Sequence, residues 1–125
     1  MNPSTQNYKD LIVWQKGIEL AKCIYGLTQR FPNEEEFGLT SQMRRAAVSI
    51  PSNIAEGQAR RTTPDFIKFV SQAEGSAAEL ETQIILSVEL KFCPKPDVLP
   101  LYELNDEIRR MLNALRRKLS LITGP

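Results

Sequence analysis

The sequence predicts an all-α fold: one antiparallel up-down-up-down four-helix bundle spanning residues 1–125. Three observations lead there. Apolar residues recur at three- and four-residue spacing along four long segments, the period of a helix with one buried face. Short connections marked by proline, glycine or asparagine separate those segments. Connections that short between long helices place consecutive helices antiparallel and side by side. No segment shows the alternation of a strand, and there is no internal repeat or low-complexity tract.

The first helix is expected over about residues 10–31, with Asp10 as its cap and Pro32-Asn33 ending it. Its apolar set (Val13, Trp14, Ile18, Ala21, Ile24, Leu27) is wider than one stripe, so it should touch more than one neighbour. In the linker that follows, Phe37-Gly38 is expected to fold back on the core. The second helix is expected over 41–59, capped by Thr40 or Ser41. Met43, Ala47, Ile50 and Ile54 form one face of it. Val48, Ala55 and Ala59 form a second strip about 100° away, the angle implied by 3.6 residues per turn. A helix apolar on two sides needs two partners, so Val48, Ser52, Ala55 and Ala59 are expected to meet a second subunit.

That second helix also breaks two helix rules. Pro51 removes an interior backbone donor, and Arg44 and Arg45 crowd the positive end of the helix dipole. Such violations mark tightly packed or functional surfaces. An arginine among apolar neighbours needs a counter-charge. Arg44 is level with Glu79–Glu81 if helices two and three form a hairpin, which predicts a structural ion pair from Arg44 to Glu81 or Glu79.

Thr63, Pro64 and Asp65 open the third helix, expected over 64–92, as cap, first-turn proline and dipole-favouring acid. Gly75 within it is expected to mark close helix contact. Cys93–Pro100 carries three prolines and is expected not to be helical. Pro100 then starts the fourth helix, expected over 100–122, whose seam runs Leu101, Leu104, Ile108, Leu112, Leu115, Leu119 and Ile122.

The chemistry is sparse. There is no histidine, which removes Ser-His-Asp and Cys-His catalysis and the common zinc and di-iron constellations. The six glycines are scattered, so there is no phosphate loop. Nothing activates a serine in Ser49–Asn53, and kinking with close packing is the better reading there. Cys23 and Cys93 are neither a disulfide framework nor a metal cluster. No catalytic residue, cofactor or metal is expected. Residues 1–10 hold no signal-type apolar run and no segment reaches the length of a membrane span, so a cytoplasmic location without a membrane partner is expected.

Net charge is only +1, but its distribution is uneven. Arg44, Arg45, Arg60 and Arg61 stand against Glu56 in residues 37–61. In the last helix, Arg109 and Arg110 can pair with Asp106 and Glu107 one turn earlier. Arg116, Arg117 and Lys118 have no such acid. They either complement the helix dipole or, with Arg60 and Arg61 and with Arg45 as a further contact, form a phosphate-binding patch.

The motifs now in view are Val13-Trp14-Gln15-Lys16, Phe31-Pro32, Phe37-Gly38-Leu39, the run Arg44–Gly57 (RRAAVSIPSNIAEG), Gly75-Ser76 and Glu79-Leu80-Glu81. Through them the chain resembles the 23S rRNA-intervening-sequence proteins over roughly residues 9–122. The resemblance implies a four-helix bundle that assembles into a homopentameric ring and has no established catalytic activity. A related branch, the accessory variability protein of diversity-generating retroelements, is strongly basic and works with nucleic acid; this chain departs from it in being nearly neutral. The functional expectation is a non-enzymatic, pentameric bundle that binds RNA or DNA through arginine-rich surfaces. The alternative is a protein-interaction scaffold.

Overall fold

The structure is a computed structural model that describes residues 7–123. Helix α1 spans Ile12–Thr28, α2 Leu39–Gln58, α3 Thr63–Glu89 and α4 Lys95–Thr123; single 3-10 turns at Tyr8–Asp10 and Asn33–Glu35 precede α1 and α2. The described residues contain no strand. Each helix packs on its sequence neighbour, and α1 also packs on α4, which closes an up-down-up-down four-helix bundle. The predicted seams point inward. Leu20, Ile24, Met43, Ile50, Ile54, Val70, Leu80, Ile84, Ile108 and Leu112 are completely or almost completely buried.

The elements differ from expectation mainly at their ends. Asp10 belongs to the 3-10 turn ahead of α1, so the helix begins at Ile12 without a side-chain cap. Helix α1 stops at Thr28, and Phe31 reaches the core from beyond the helix. Neither Thr40 nor Ser41 caps α2. Gly38 holds that position, and the Glu35 carboxylate accepts from the Leu39 amide at 3.1 Å, so an acid from the preceding turn serves as the cap. Phe37 does not fold back on the core; it is 91% exposed, and Leu39 takes the buried place. In α3 the cap is Thr62 rather than Thr63, accepting from the Asp65 amide at 3.3 Å.

Residues 93–100 are the largest departure, because α4 already begins at Lys95 and contains both Pro96 and Pro100. Pro96 stands in the first turn, where the amide it lacks has no intrahelical partner in any case. Pro100 forfeits one bond, to the Pro96 carbonyl. Both prolines are exposed, so water can satisfy that carbonyl. The early start buries Val98 and half-buries Leu101 against the core, extending the seam by a turn.

Two internal features fix how helices meet. Pro51 is buried inside α2, and a Cβ placed on Gly17 of α1 would lie 3.3 Å from its Cδ. The proline therefore packs where α1 offers least bulk. Between α3 and α4, the fully buried Asn105 donates from Nδ2 to the Ala77 carbonyl at 2.9 Å. Its Oδ1, like Gln83 Oε1, has no partner among the described residues. Gly75 does not mark a helix contact: nothing lies within 4 Å of where its Cβ would be.

Candidate nucleic-acid interface

Antiparallel topology brings the α2–α3 turn, the start of α3 and the last turns of α4 into one half of the bundle. The turn carries Arg60 and Arg61. Arg60 lies over the Phe69 ring at 4.7 Å and within 3.8 Å of Glu56, with its side chain still nearly half exposed. Arg61, Arg117 and Lys118 are exposed, and none of the three forms an ion pair with another described residue. Arg116 is level with Glu74, eleven residues into α3. At 1.5 Å per residue, the α4 cations therefore sit about 15 Å along the bundle axis from the Arg60–Arg61 turn. The exposed cations thus form two separate patches within one half of the bundle.

Arg116 does not share this freedom. Its Nε donates to Glu74 Oε1 at 2.6 Å, and Nη2 approaches Oε2 at 3.5 Å. By accepting that hydrogen bond, and then through its charge, Glu74 raises the arginine pKa above its ordinary value. One heptad away, Arg109 pairs with Glu81 at 3.0 Å rather than with Asp106 or Glu107 of its own helix. Glu107 instead takes Lys16 of α1 at 2.6 Å, and only Arg110 keeps the expected intrahelical partner, Asp106, at 3.3 Å. The signal for the α3–α4 pairs was present in the sequence: Glu74 and Glu81 are seven apart, as are Arg109 and Arg116. Two seven-residue pairs of opposite sign on adjacent antiparallel helices can be satisfied together.

The predicted ion pair of Arg44 with Glu81 or Glu79 does not form. Arg44 turns toward α1, donating from Nε to Thr28 Oγ1 at 2.9 Å, and its guanidinium lies over the Tyr25 ring at 4.5 Å. Thr28 in turn donates to the Ile24 carbonyl at 2.7 Å, so the hydroxyl is held in place for the arginine. A half-exposed arginine can use a hydroxyl and an aromatic face because water still solvates the rest of it. Glu81 is committed to Arg109, and Glu79 is exposed with no cation at ion-pair distance among the described residues. Arg45 is exposed in the other half of the bundle, beside a shallow recess with Ser49, Ser76 and Glu79, so it does not join the Arg60–Arg61 surface.

In the single chain, Val48, Ser52 and Ala59 face solvent and Ala55 is half-buried, a strip of small residues along one side of α2. One polar contact ties α2 to α3, where the Ser49 and Ser76 hydroxyls meet at 2.8 Å; within α2, Asn53 Nδ2 donates to the Ser49 carbonyl at 2.8 Å. Among the described residues, no group of three or more His, Cys, Asp or Glu side chains could hold a metal ion, and no helix is long and apolar enough to cross a membrane.

This frame has a known family. The model of the 23S rRNA-intervening sequence proteins matches residues 9–114, which include the whole of α1, α2 and α3. The chain belongs to that family. A solved structure with the same fold is a protein of unknown function from the S23 ribosomal protein family of Bacteroides thetaiotaomicron. It matches with a TM-score of 0.76 and 24% identity, over 84% of this chain and 98% of that one. At that identity the likeness carries the fold alone. No curated protein matches the chain.

Proposed function

We propose that this chain is a non-enzymatic cytoplasmic protein, a single domain that assembles into a homopentamer and binds RNA or DNA through arginine-rich surfaces. The observation that carries the reading is the exposed set Arg60, Arg61, Arg117 and Lys118 on one half of the bundle, three of them without an ion-pair partner among the described residues. One subunit offers too few cations for tight binding. Repetition around a ring multiplies them and makes affinity steeply salt-dependent, because each phosphate contact releases a counterion. The strip of exposed Val48, Ser52 and Ala59 with half-buried Ala55 supports assembly, since small side chains let a second helix approach closely. The family's name points to an RNA context and supports the choice of nucleic acid as ligand.

Fluorescence anisotropy with labelled single- and double-stranded RNA and DNA, at low and moderate salt, tests the binding. Affinity that falls steeply with salt supports it. Affinity undetectable at low salt, or indifferent to salt, removes it and favours a protein-interaction scaffold. Native mass spectrometry reads the assembly; a clean monomer would refute the pentamer.

A further inference from the structure

A recess of about 490 Å³ lies between α1 and the start of α2, with Tyr25, Phe37 and Val48 on its walls and Arg44, Arg45 and Glu36 supplying its charges. Its volume is in the range of small-molecule sites, where a few polar groups fix the ligand's orientation. It stands apart from the Arg60–Arg61 surface and is independent of the binding assigned there. We propose that this recess takes a nucleoside monophosphate, with the phosphate on Arg44 and Arg45 and the base against Phe37.

Arg44 is fixed in place yet not neutralised. Its Nε donates to Thr28 Oγ1 at 2.9 Å and its Nη2 to the Tyr25 carbonyl at 3.5 Å, with the Tyr25 ring 4.5 Å from the guanidinium. These contacts hold the side chain without a counter-charge, and Nη1 has no acceptor among the described residues. An anion meeting such an ordered fork loses little side-chain entropy on binding. Arg45 adds a second guanidinium, and no carboxylate among the described residues is at ion-pair distance from either arginine. Two adjacent cations suit a phosphate monoester, whose charge is about −1.5 to −2 near neutral pH, better than a single carboxylate.

The other walls call for a ring. Phe37 is 91% exposed on a turn held by the Glu35 bond to the Leu39 amide, so a flat apolar face stands beside the arginines. Bases stack on such faces whatever their identity. Glu36 is exposed and has no cation at ion-pair distance among the described residues. It repels a further phosphate, which favours a monophosphate, and as an acceptor it suits the amino group of a base.

Isothermal titration calorimetry of the full chain with adenosine monophosphate, adenosine and inorganic phosphate tests this. The nucleotide should bind about tenfold or more tightly than either fragment, since each fragment makes only part of the contacts. Arg45→Ala and Phe37→Ala change exposed side chains, and each should weaken the nucleotide about tenfold or more at unchanged melting temperature. Arg117→Ala, on the other basic surface, should leave the nucleotide affinity as it is. A 5′-phosphorylated trinucleotide separates the two sources of the group: binding at least as tight as the free nucleotide assigns a strand end, and weaker binding assigns the free nucleotide. No measurable binding of the nucleotide, equal affinity for inorganic phosphate, or undiminished affinity in either variant overturns the proposal. None of those results bears on the salt-dependent binding assigned to Arg60, Arg61, Arg117 and Lys118, which the anisotropy measurements decide separately.

Discussion

Arg116 of α4 meets Glu74 of α3 through a 2.6 Å hydrogen bond, and this contact divides a run of three adjacent cations into two kinds. Arg116 lies along the seam between helices, whereas Arg117 and Lys118 project into solvent. Their contributions to polyanion binding should differ accordingly. Arg117→Ala and Lys118→Ala should each reduce the slope of log affinity against log salt by about 0.9 for every copy that contacts duplex nucleic acid. Arg116→Ala should leave that slope unchanged and lower the melting temperature instead. Equal slopes for all three variants would show that Glu74 does not withhold Arg116 from the ligand.

Two glycines predict opposite signs for the same substitution. A Cβ on Gly57 would lie 2.7 Å from Phe69 Cβ and 3.0 Å from Phe66 Cδ1, at the point where the end of α2 crosses α3. Overpacking of that kind costs about 1–3 kcal/mol, against a gain in helix propensity of about 1 kcal/mol. Gly57→Ala should therefore be destabilising. Around Gly75 there is open space, so Gly75→Ala should keep the propensity gain and stabilise by up to about 1 kcal/mol. Urea midpoints at unchanged m-value would show both effects.

The end of α3 offers a third prediction. Lys91 adopts φ 64°, the left-handed region, and the Phe92 amide bonds the Ser87 carbonyl at 2.9 Å while the Lys91 amide bonds Val88 at 2.9 Å. This is a Schellman stop, and glycine is its usual occupant because a Cβ is strained there. Phe92, the residue after Lys91, packs against Phe31 with 5.5 Å between ring centres. Lys91→Gly should stabilise the fold by about 1 kcal/mol, since the relief of strain exceeds the added freedom of the unfolded chain. A lower urea midpoint would show that the lysine is not strained.

These cases show what could be read from the chain before its structure. The seam positions Met43, Ile50, Ile54, Leu80, Ile84, Ile108 and Leu112 were legible because burial of one helical face imposes a period that any single residue can be checked against. Helix ends were not. Glu35 caps α2 from outside it, and Pro96 and Pro100 are tolerated because they lie in an exposed first turn and a half; both facts depend on three-dimensional surroundings. The arginines were the hardest. Arg44 and Glu81 are level as the hairpin geometry implied, but Tyr25 and Thr28 of α1 compete for the arginine and Arg109 competes for the acid. Level along an axis is set by register, whereas partner choice depends on which face of the helix each side chain leaves from.

The Lys16–Glu107 pair joins the two ends of the chain's helical order, α1 to α4, at 2.6 Å. Its hydrogen bond, followed by the attraction of the Glu107 charge, raises the Lys16 pKa above the usual 10.5. Lysine thus holds its proton more tightly in the folded chain than in the unfolded one. The stabilisation is complete below pH 10.5 and is lost as pH rises through the raised folded value. Removing the carboxylate charge by Glu107→Gln should lower the melting temperature slightly at pH 9, as befits a largely solvated pair. The difference between wild type and Glu107→Gln should shrink as pH passes above 10.5, and high salt at pH 9 should shrink it too. A difference that persists undiminished through that pH range would mean that Glu107 contributes through its contacts with α1 rather than through the charge on Lys16.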